Sequence, residues 1–209
     1  MREGENYWGN LSKRIISPTE VKNKRVDTTD LELDFLSPFL HQHFELLDIG
    51  SGTGLIINKL VDRVKSITAV EKFEGFTRFI NCHPNMLVIN ADLYGFKIRK
   101  EFDIALCFGV AQYFVREDMA EIYKNIHSMV KPGGLFFVRM HCGLTEDVCV
   151  DGYSTELECQ FFAQYRQVDS EMALLQASGF SNIQCFDIYP DTFNVWPNTR
   201  HFLFVCSKA

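Results

Sequence analysis

Three glycines at alternate positions close the segment Leu46-Leu47-Asp48-Ile49-Gly50-Ser51-Gly52-Thr53-Gly54. Removing Cβ at such positions lets a chain leaving a strand turn sharply and lets a ligand lie against bare backbone. A dinucleotide fingerprint would need a further glycine at position 55, where Leu55 stands, and a P-loop would need Gly-Lys-Ser/Thr. No Lys or Arg lies between Asp48 and Asn58 to meet a pyrophosphate. The loop therefore suits a nucleoside without phosphates. Glu71 ends the next apolar run, where a carboxylate can accept hydrogen bonds from both ribose hydroxyls, and Asp92 follows the third run in the same relative place. Two carboxylates at successive strand ends, with no base in the loop, fit a cationic nucleoside.

Other side chains could serve a second reactant. His141 follows a fifth apolar run and is the candidate general base, with an ordinary pKa near 6.5; its plainer role would be to hydrogen-bond a loop. Tyr7 and Trp8 could close over a ligand or simply pack an N-terminal arm onto the core. Tyr113, Tyr165 and Arg166 are candidates for the substrate side, as are Tyr153 and Glu156, although their spacing specifies no chemistry. Lys13, Arg14, Lys22, Lys24 and Arg25 could meet an anionic substrate such as a phosphorylated sugar, but a solvated face is the commoner fate of such charges. His41 and His43 lack further ligands nearby in sequence, so no metal site is expected.

The elements that must position these residues alternate. Thr29 and Glu32 form an S/T-x-x-E signal for a helix from about Asp30, which Pro38 should end. Strand-like runs occur at 45–49, 66–70, 86–90, 102–108 and 135–140. Helical patterns occupy Ile56 to Val64, Gly75 to Cys82 and Glu117 to Val130, and Lys131-Pro132-Gly133-Gly134 supplies a stop and turn. Such alternation implies βαβ crossovers and a doubly wound, mostly parallel sheet. A helix from Asp169 to Ser178 precedes two closing runs, Ile183 to Tyr189 and His201 to Cys206. About a dozen residues separate those runs, too few for a helical crossover, so they should pair antiparallel. Residues 1–29 read as an arm or lid, 30–209 as a single domain, and 143–168 as a substrate-side insertion within it.

Together these motifs resemble the class I S-adenosylmethionine-dependent methyltransferases over about residues 30–207. Asp48 to Gly54 resembles the family's first motif, Phe102 to Val110 its fourth-strand motif, and Val130 to Gly134 the turn before its fifth strand. The resemblance implies a seven-stranded α/β sheet in the order 3-2-1-4-5-7-6 with the last strand antiparallel. It implies S-adenosylmethionine as cofactor and S-adenosylhomocysteine as product, with donor contacts from Asp48, Gly50, Ser51, Gly52, Glu71, Asp92, Leu93 and Phe108. The segment from Phe108 reads Phe-Gly-Val-Ala-Gln-Tyr, not the Asn/Asp-Pro-Pro-Tyr of adenine and glutamine methyltransferases, which disfavours methylation of DNA bases. The expected reaction is O- or N-methylation of a small molecule. The alternatives are a non-catalytic binding module and, more remotely, an NAD-dependent oxidoreductase.

The net charge of −6 over 209 residues disfavours a double-stranded nucleic-acid partner. Seven scattered cysteines without C-x-x-C spacing suit reduced thiols in a cytoplasm. No leader-like apolar stretch and no run of about 18 apolar residues occurs, so a membrane partner is not expected. Oligomeric state is not encoded in any motif.

Overall fold

In the computed structural model, residues 3–23, 25–155, 157–194 and 196–209 are described, with side chains from residue 7 onward. The apolar runs build one seven-stranded sheet from β1 (Glu45–Ile49), β2 (Ser66–Glu71), β3 (Met86–Asn90), β4 (Phe102–Phe108), β5 (Val130–Gly143), β8 (Ser181–Phe186) and β9 (Thr199–Ser207). Its order is β3-β2-β1-β4-β5-β9-β8. Neighbours run parallel except β9, which is antiparallel to β5 and β8. This is the order the resemblance implied, once a separate hairpin of β6 (Val148–Ser154) and β7 (Cys159–Tyr165) is left out of the count.

A mostly parallel sheet must be covered on both faces, and period-two alternation divides its residues accordingly. Leu47, Ile49, Ala105, Cys107, Phe136 and Val138 pack toward α4 (Arg116–Met129) and α5 (Val168–Ala177). Leu46, Ile67, Ile104, Leu106 and Phe137 pack on the other face with Leu33 and Leu36 of α2 (Thr29–Leu36). Strand order reverses between β1 and β4, so the crevice outside their carboxyl ends is where such a sheet binds ligands.

Several local expectations are corrected. The segment after the glycine loop buries Ile57, Leu60 and Val64 as its periodicity required, yet it is a 3₁₀ turn at Ile57–Lys59 flanked by turns, not a regular helix. Its β-branched residues crowd a helix. The Asn58 side chain ties the segment to the following one, its Nδ2 donating to the Phe79 carbonyl at 2.9 Å and its Oδ1 accepting from Asn81 N at 2.8 Å. The helix expected at 75–82 is a single turn, α3 (Glu74–Thr77). The capping box at Thr29 does not form, because Thr29 N and Oγ1 both donate to Asp27 Oδ1, at 3.0 and 2.6 Å. Glu32 is thereby free for another role. Lys131 to Gly134 do not separate helix from strand but lie within β5, where the pairing with β4 shifts register between Phe102 and Ile104.

The N-terminal arm contains α1 (Glu3–Arg14), whose Tyr7 and Leu11 pack with Ile15 and Phe76 in a small satellite core. Alongside β7, α1 covers the crevice. Lys24 and Glu156, both noted in the sequence, lie outside the described residues. All seven cysteines carry free thiols. Among the described residues, no helix is long and apolar enough to cross a membrane, and no cluster of three or more metal-ligating side chains occurs.

Candidate active site

A cavity of about 1110 Å³ opens at the carboxyl ends of β1, β2 and β4 and runs from the glycine loop to β5 and β9. This is slightly above the usual range for small-molecule pockets, roughly 300 to 1,000 Å³, and gives room for two reactants.

At one end, Gly50 and Gly52 adopt φ of 71° and 53°, the left-handed region that glycine enters without steric cost. Gly50 N and Ser51 N donate to the Val70 carbonyl at 2.8 and 3.0 Å, stitching the loop to the end of β2. Glu71 Oε2 accepts from Gly52 N at 2.9 Å and Oε1 from Phe73 N at 2.9 Å. A Cβ built on Gly52 would meet nothing within 4 Å, so the backbone there faces open space. Burial raises the Glu71 carboxyl above its ordinary range despite these hydrogen bonds. Burial, reinforced by the nearby charge of Glu71, pushes Asp48 up to about 7. Two buried carboxyls that resist ionisation beside a bare backbone are fitted to a cationic nucleoside, whose charge would favour their ionised forms.

Asp92 differs from this pair. Burial would raise it, but Lys72 Nζ at 2.7 Å and the Tyr94 N–H at 3.1 Å outweigh burial and hold it below the ordinary carboxylate range. Its charge is therefore already answered by Lys72, not left for a ligand as the spacing alone suggests. Leu93 is buried, and it lines the cavity together with Phe108 and Ser51.

The far end is aromatic and cationic. His141 lies within β5, not beyond it, directly opposite His201 of β9. Trp196 stacks on His141 at 5.4 Å and Tyr165 tilts against it at 4.5 Å. Burial first, then Arg25 and Arg139, lowers His141 to about 4, correcting the near-6.5 value expected from its residue type. Among the described residues, unpartnered buried polar atoms gather along this cavity: Trp8 Nε1, Glu32 Oε2, Arg139 Nε, His141 Nε2, Thr199 Oγ1 and His201 Nδ1. Buried polar groups are rarely left unpaired without a function, so the wall is shaped for a polar ligand.

Tyr113 lines the cavity from the turn Ala111–Tyr113, and burial raises its phenol well above the usual range. Two substrate candidates are placed elsewhere. Tyr7 does not line the cavity; its hydroxyl bonds Asn23 and its ring packs edge-on to Trp8, which does. Arg166 is 0% exposed, ion-paired with Glu171, and donates to the carbonyls of Phe114 and Ala111, each at 3.1 Å. A guanidinium sealed in this way cannot reach a substrate in the cavity. Conversely, Glu32, Arg139, His201 and Trp196 were not singled out from sequence. Arg139 had left a signal, as a lone cation inside an otherwise apolar run, and it lies 3.3 Å from Glu32 Oε1.

Sheet order, glycine loop and acidic strand end define the class: the fold is that of the class I S-adenosylmethionine-dependent methyltransferases, enzymes that take their methyl group from that cofactor. Residues 47–138 match the model of a family described as a methyltransferase domain. No curated protein sequence matches the chain significantly. Among solved structures, 1,6-didemethyltoxoflavin-N1-methyltransferase of Burkholderia thailandensis, bound to 1,6-didemethyltoxoflavin and S-adenosylhomocysteine, superposes with a TM-score of 0.72 at 13% identity, over 100% of this chain and 92% of that one. An S-adenosylmethionine-dependent methyltransferase of Mesorhizobium loti gives 0.64 at 15% identity, over 86% of this chain and 100% of that one. DhpI in complex with SAH gives 0.69 at 14% identity, over 98% and 96% respectively.

Proposed function

We propose that the protein methylates an oxygen or nitrogen of a small molecule enclosed in this cavity. The observation that carries the reading is the continuity of the cavity from the glycine loop to the His141 end under a roof of arm and hairpin residues, including Trp8, Val21, Val150 and Phe161. A roofed chamber admits a small acceptor and excludes a folded macromolecule. The Burkholderia thailandensis neighbour, with a small molecule bound, supports the same reading. In this proposal residues 1–29 form the arm over the site, 30–209 the single domain and 143–168 its substrate-side wall. Seven free thiols support a reducing, cytoplasmic setting.

When bound, S-adenosylmethionine supplies a methyl group already activated on a sulfonium. Asp48, Gly50, Ser51, Gly52 and Glu71 would hold its ribose and amino-acid portions, and Asp92, Leu93 and Phe108 its base. Tyr113, Tyr165 and His141 would orient the acceptor. Holding two reactants in attack geometry lowers a barrier by roughly 7 to 11 kcal/mol, so positioning can supply most of the catalysis. His141 is neutral near pH 7 and can accept a hydrogen bond from an acceptor N–H or O–H. With its basicity so reduced it would be a weak proton acceptor.

The test is transfer of labelled methyl from the cofactor into a cell extract separated by molecular mass. Label in the low-mass fraction is expected. Label confined to protein or nucleic acid would refute a small acceptor.

A further inference from the structure

The cavity wall at the His141 end carries more positive than negative charge. Lys22, Arg25 and Arg139 all line it; Lys22 is paired with Asp27 and Arg139 with Glu32, and the exposed Asp151 of β6 also reaches the cavity. Asp27 is engaged by Lys22 at 3.2 Å and by Thr29. Glu32 is shared among Arg139 at 3.3 Å, Thr28 Oγ1 at 3.1 Å and the Tyr189 hydroxyl at 3.1 Å. Arg25 has no carboxylate partner among the described residues; its guanidinium lies over the Trp196 ring, 4.5 Å from the centroid. Neither histidine adds a counter-charge, and both are held neutral, with Arg25 and Arg139 acting on each of them.

Arg25 is thus a cation without a paired carboxylate on a half-buried wall. Placing a cation there is costly unless an anion completes the site, and the cation–π contact with Trp196 compensates only in part. The surrounding atoms suit such an anion. Arg139 Nε is a buried donor without an acceptor in hydrogen-bond geometry, and Thr199 Oγ1, further along the same pair of strands, is an unpartnered hydroxyl in the cavity wall. Guanidinium groups pair with planar or tetrahedral oxyanions through two parallel hydrogen bonds, more strongly than with neutral groups.

We propose that the methyl acceptor carries an oxyanion, a carboxylate or a phosphate, held by Arg25 with Lys22 and Arg139, while Trp196 and Tyr165 flank its body. This deepens the small-acceptor reading and rests on it. The arm thereby becomes part of the specificity site, since Lys22 and Arg25 both belong to it.

Trp8 and Trp196 are the two tryptophans of the chain and both line the cavity, so their fluorescence reports occupancy. Benzoate, phenylphosphate and neutral benzamide are titrated into the full-length protein, with and without S-adenosylhomocysteine, for wild type and Arg25→Gln. One or both anions should bind at least tenfold more tightly than benzamide, and Arg25→Gln should remove about tenfold of that affinity while leaving S-adenosylhomocysteine binding unchanged. A preference for one anion identifies the source as carboxylate or phosphate. Equal binding of benzamide, no binding of either anion, or indifference to Arg25→Gln would each overturn the proposal. Failure of S-adenosylhomocysteine itself to bind strikes instead at the donor site, and the anion titration without it is judged separately.

Discussion

The imidazoles of His141 and His201 stack almost face to face, with centroids 4.1 Å apart and planes 12° from parallel, at directly paired positions of β5 and β9. Burial is the first cause of depression in both, and it leaves them at about 4 and about 2. In the unfolded chain they would titrate near 6.5. As pH falls below that value, the unfolded chain takes up protons that the folded chain refuses, so stability is lost on acidification. Asp48, raised to about 7, acts in the opposite sense, because the folded chain takes up its proton first. A comparison that changes only the histidines isolates their part. Between pH 7.5 and 5.0, wild type should lose up to about 2 kcal/mol per histidine relative to a variant with His141→Phe and His201→Phe, read from urea unfolding at each pH. Equal losses would mean that the pair is not buried as described.

Glu71 has two tasks that one substitution exposes together. It anchors Gly52 N and Phe73 N, and in the proposed site it also faces the donor's ribose. Hydrogen bonds to a charged acceptor contribute about 1.5 to 3 kcal/mol each, so Glu71→Ala should weaken S-adenosylhomocysteine binding by roughly tenfold to several hundredfold in calorimetry. Asp48 adds a pH dependence. Its carboxyl gives up a proton near pH 7, so affinity for the cationic donor should rise from pH 6 to pH 8, and Asp48→Asn should flatten the profile. A wild-type profile without slope would place the donor's charge away from Asp48.

Much of this end of the molecule was legible in the sequence because its chemistry is local. Gly50, Gly52 and Glu71 lie on one turn and the next strand tip, and apolar alternation fixed which runs became strands. The acceptor end was harder, because its residues meet only through tertiary structure. His201 reaches His141 by antiparallel pairing across the last strands, and Glu32 reaches Arg139 from a helix more than a hundred residues earlier in the chain. The capping-box pattern at Thr29 obscured Glu32, since a local hydrogen bond to Asp27 displaced the expected cap. The weak helix at Ile56 to Val64 failed for a related reason: periodicity reports which face is buried, and a string of turns can bury the same face.

The two loop glycines should respond differently to a methyl group. A Cβ on Gly50 would lie 2.3 Å from Val110 Cγ2, a β-branched side chain unable to swing aside, and would also force a left-handed φ. Gly50→Ala should therefore lower unfolding stability by at least about 2 kcal/mol, combining strain with overpacking. A Cβ on Gly52 meets no protein atom, so Gly52→Ala carries only the backbone strain, about 1 kcal/mol. Its added methyl would point into the space assigned to the donor. Binding of S-adenosylhomocysteine should fall sharply in a protein that still melts cooperatively, and normal binding to Gly52→Ala would show that this backbone is not the cradle.

Arg166 offers the clearest separation of architecture from recognition. Its guanidinium is sealed against Glu171 and fixes the carbonyls of Ala111 and Phe114, which bracket the turn that carries Gln112 and Tyr113 into the cavity. Glu171 is also hydrogen-bonded by the Tyr123 hydroxyl, so removing Arg166 would strand a buried carboxylate on one side and two carbonyls on the other. Breaking a buried pair from one side costs roughly 3 to 5 kcal/mol. Arg166→Met should lose about that much in urea unfolding. Adding Glu171→Gln should recover part of the loss, since the orphaned charge is removed and contacting residues couple. A side chain that instead touched the acceptor would behave otherwise: stability would hold and KM for the acceptor would rise. The expected pattern is the reverse, with activity falling in proportion to the folded fraction and KM unchanged.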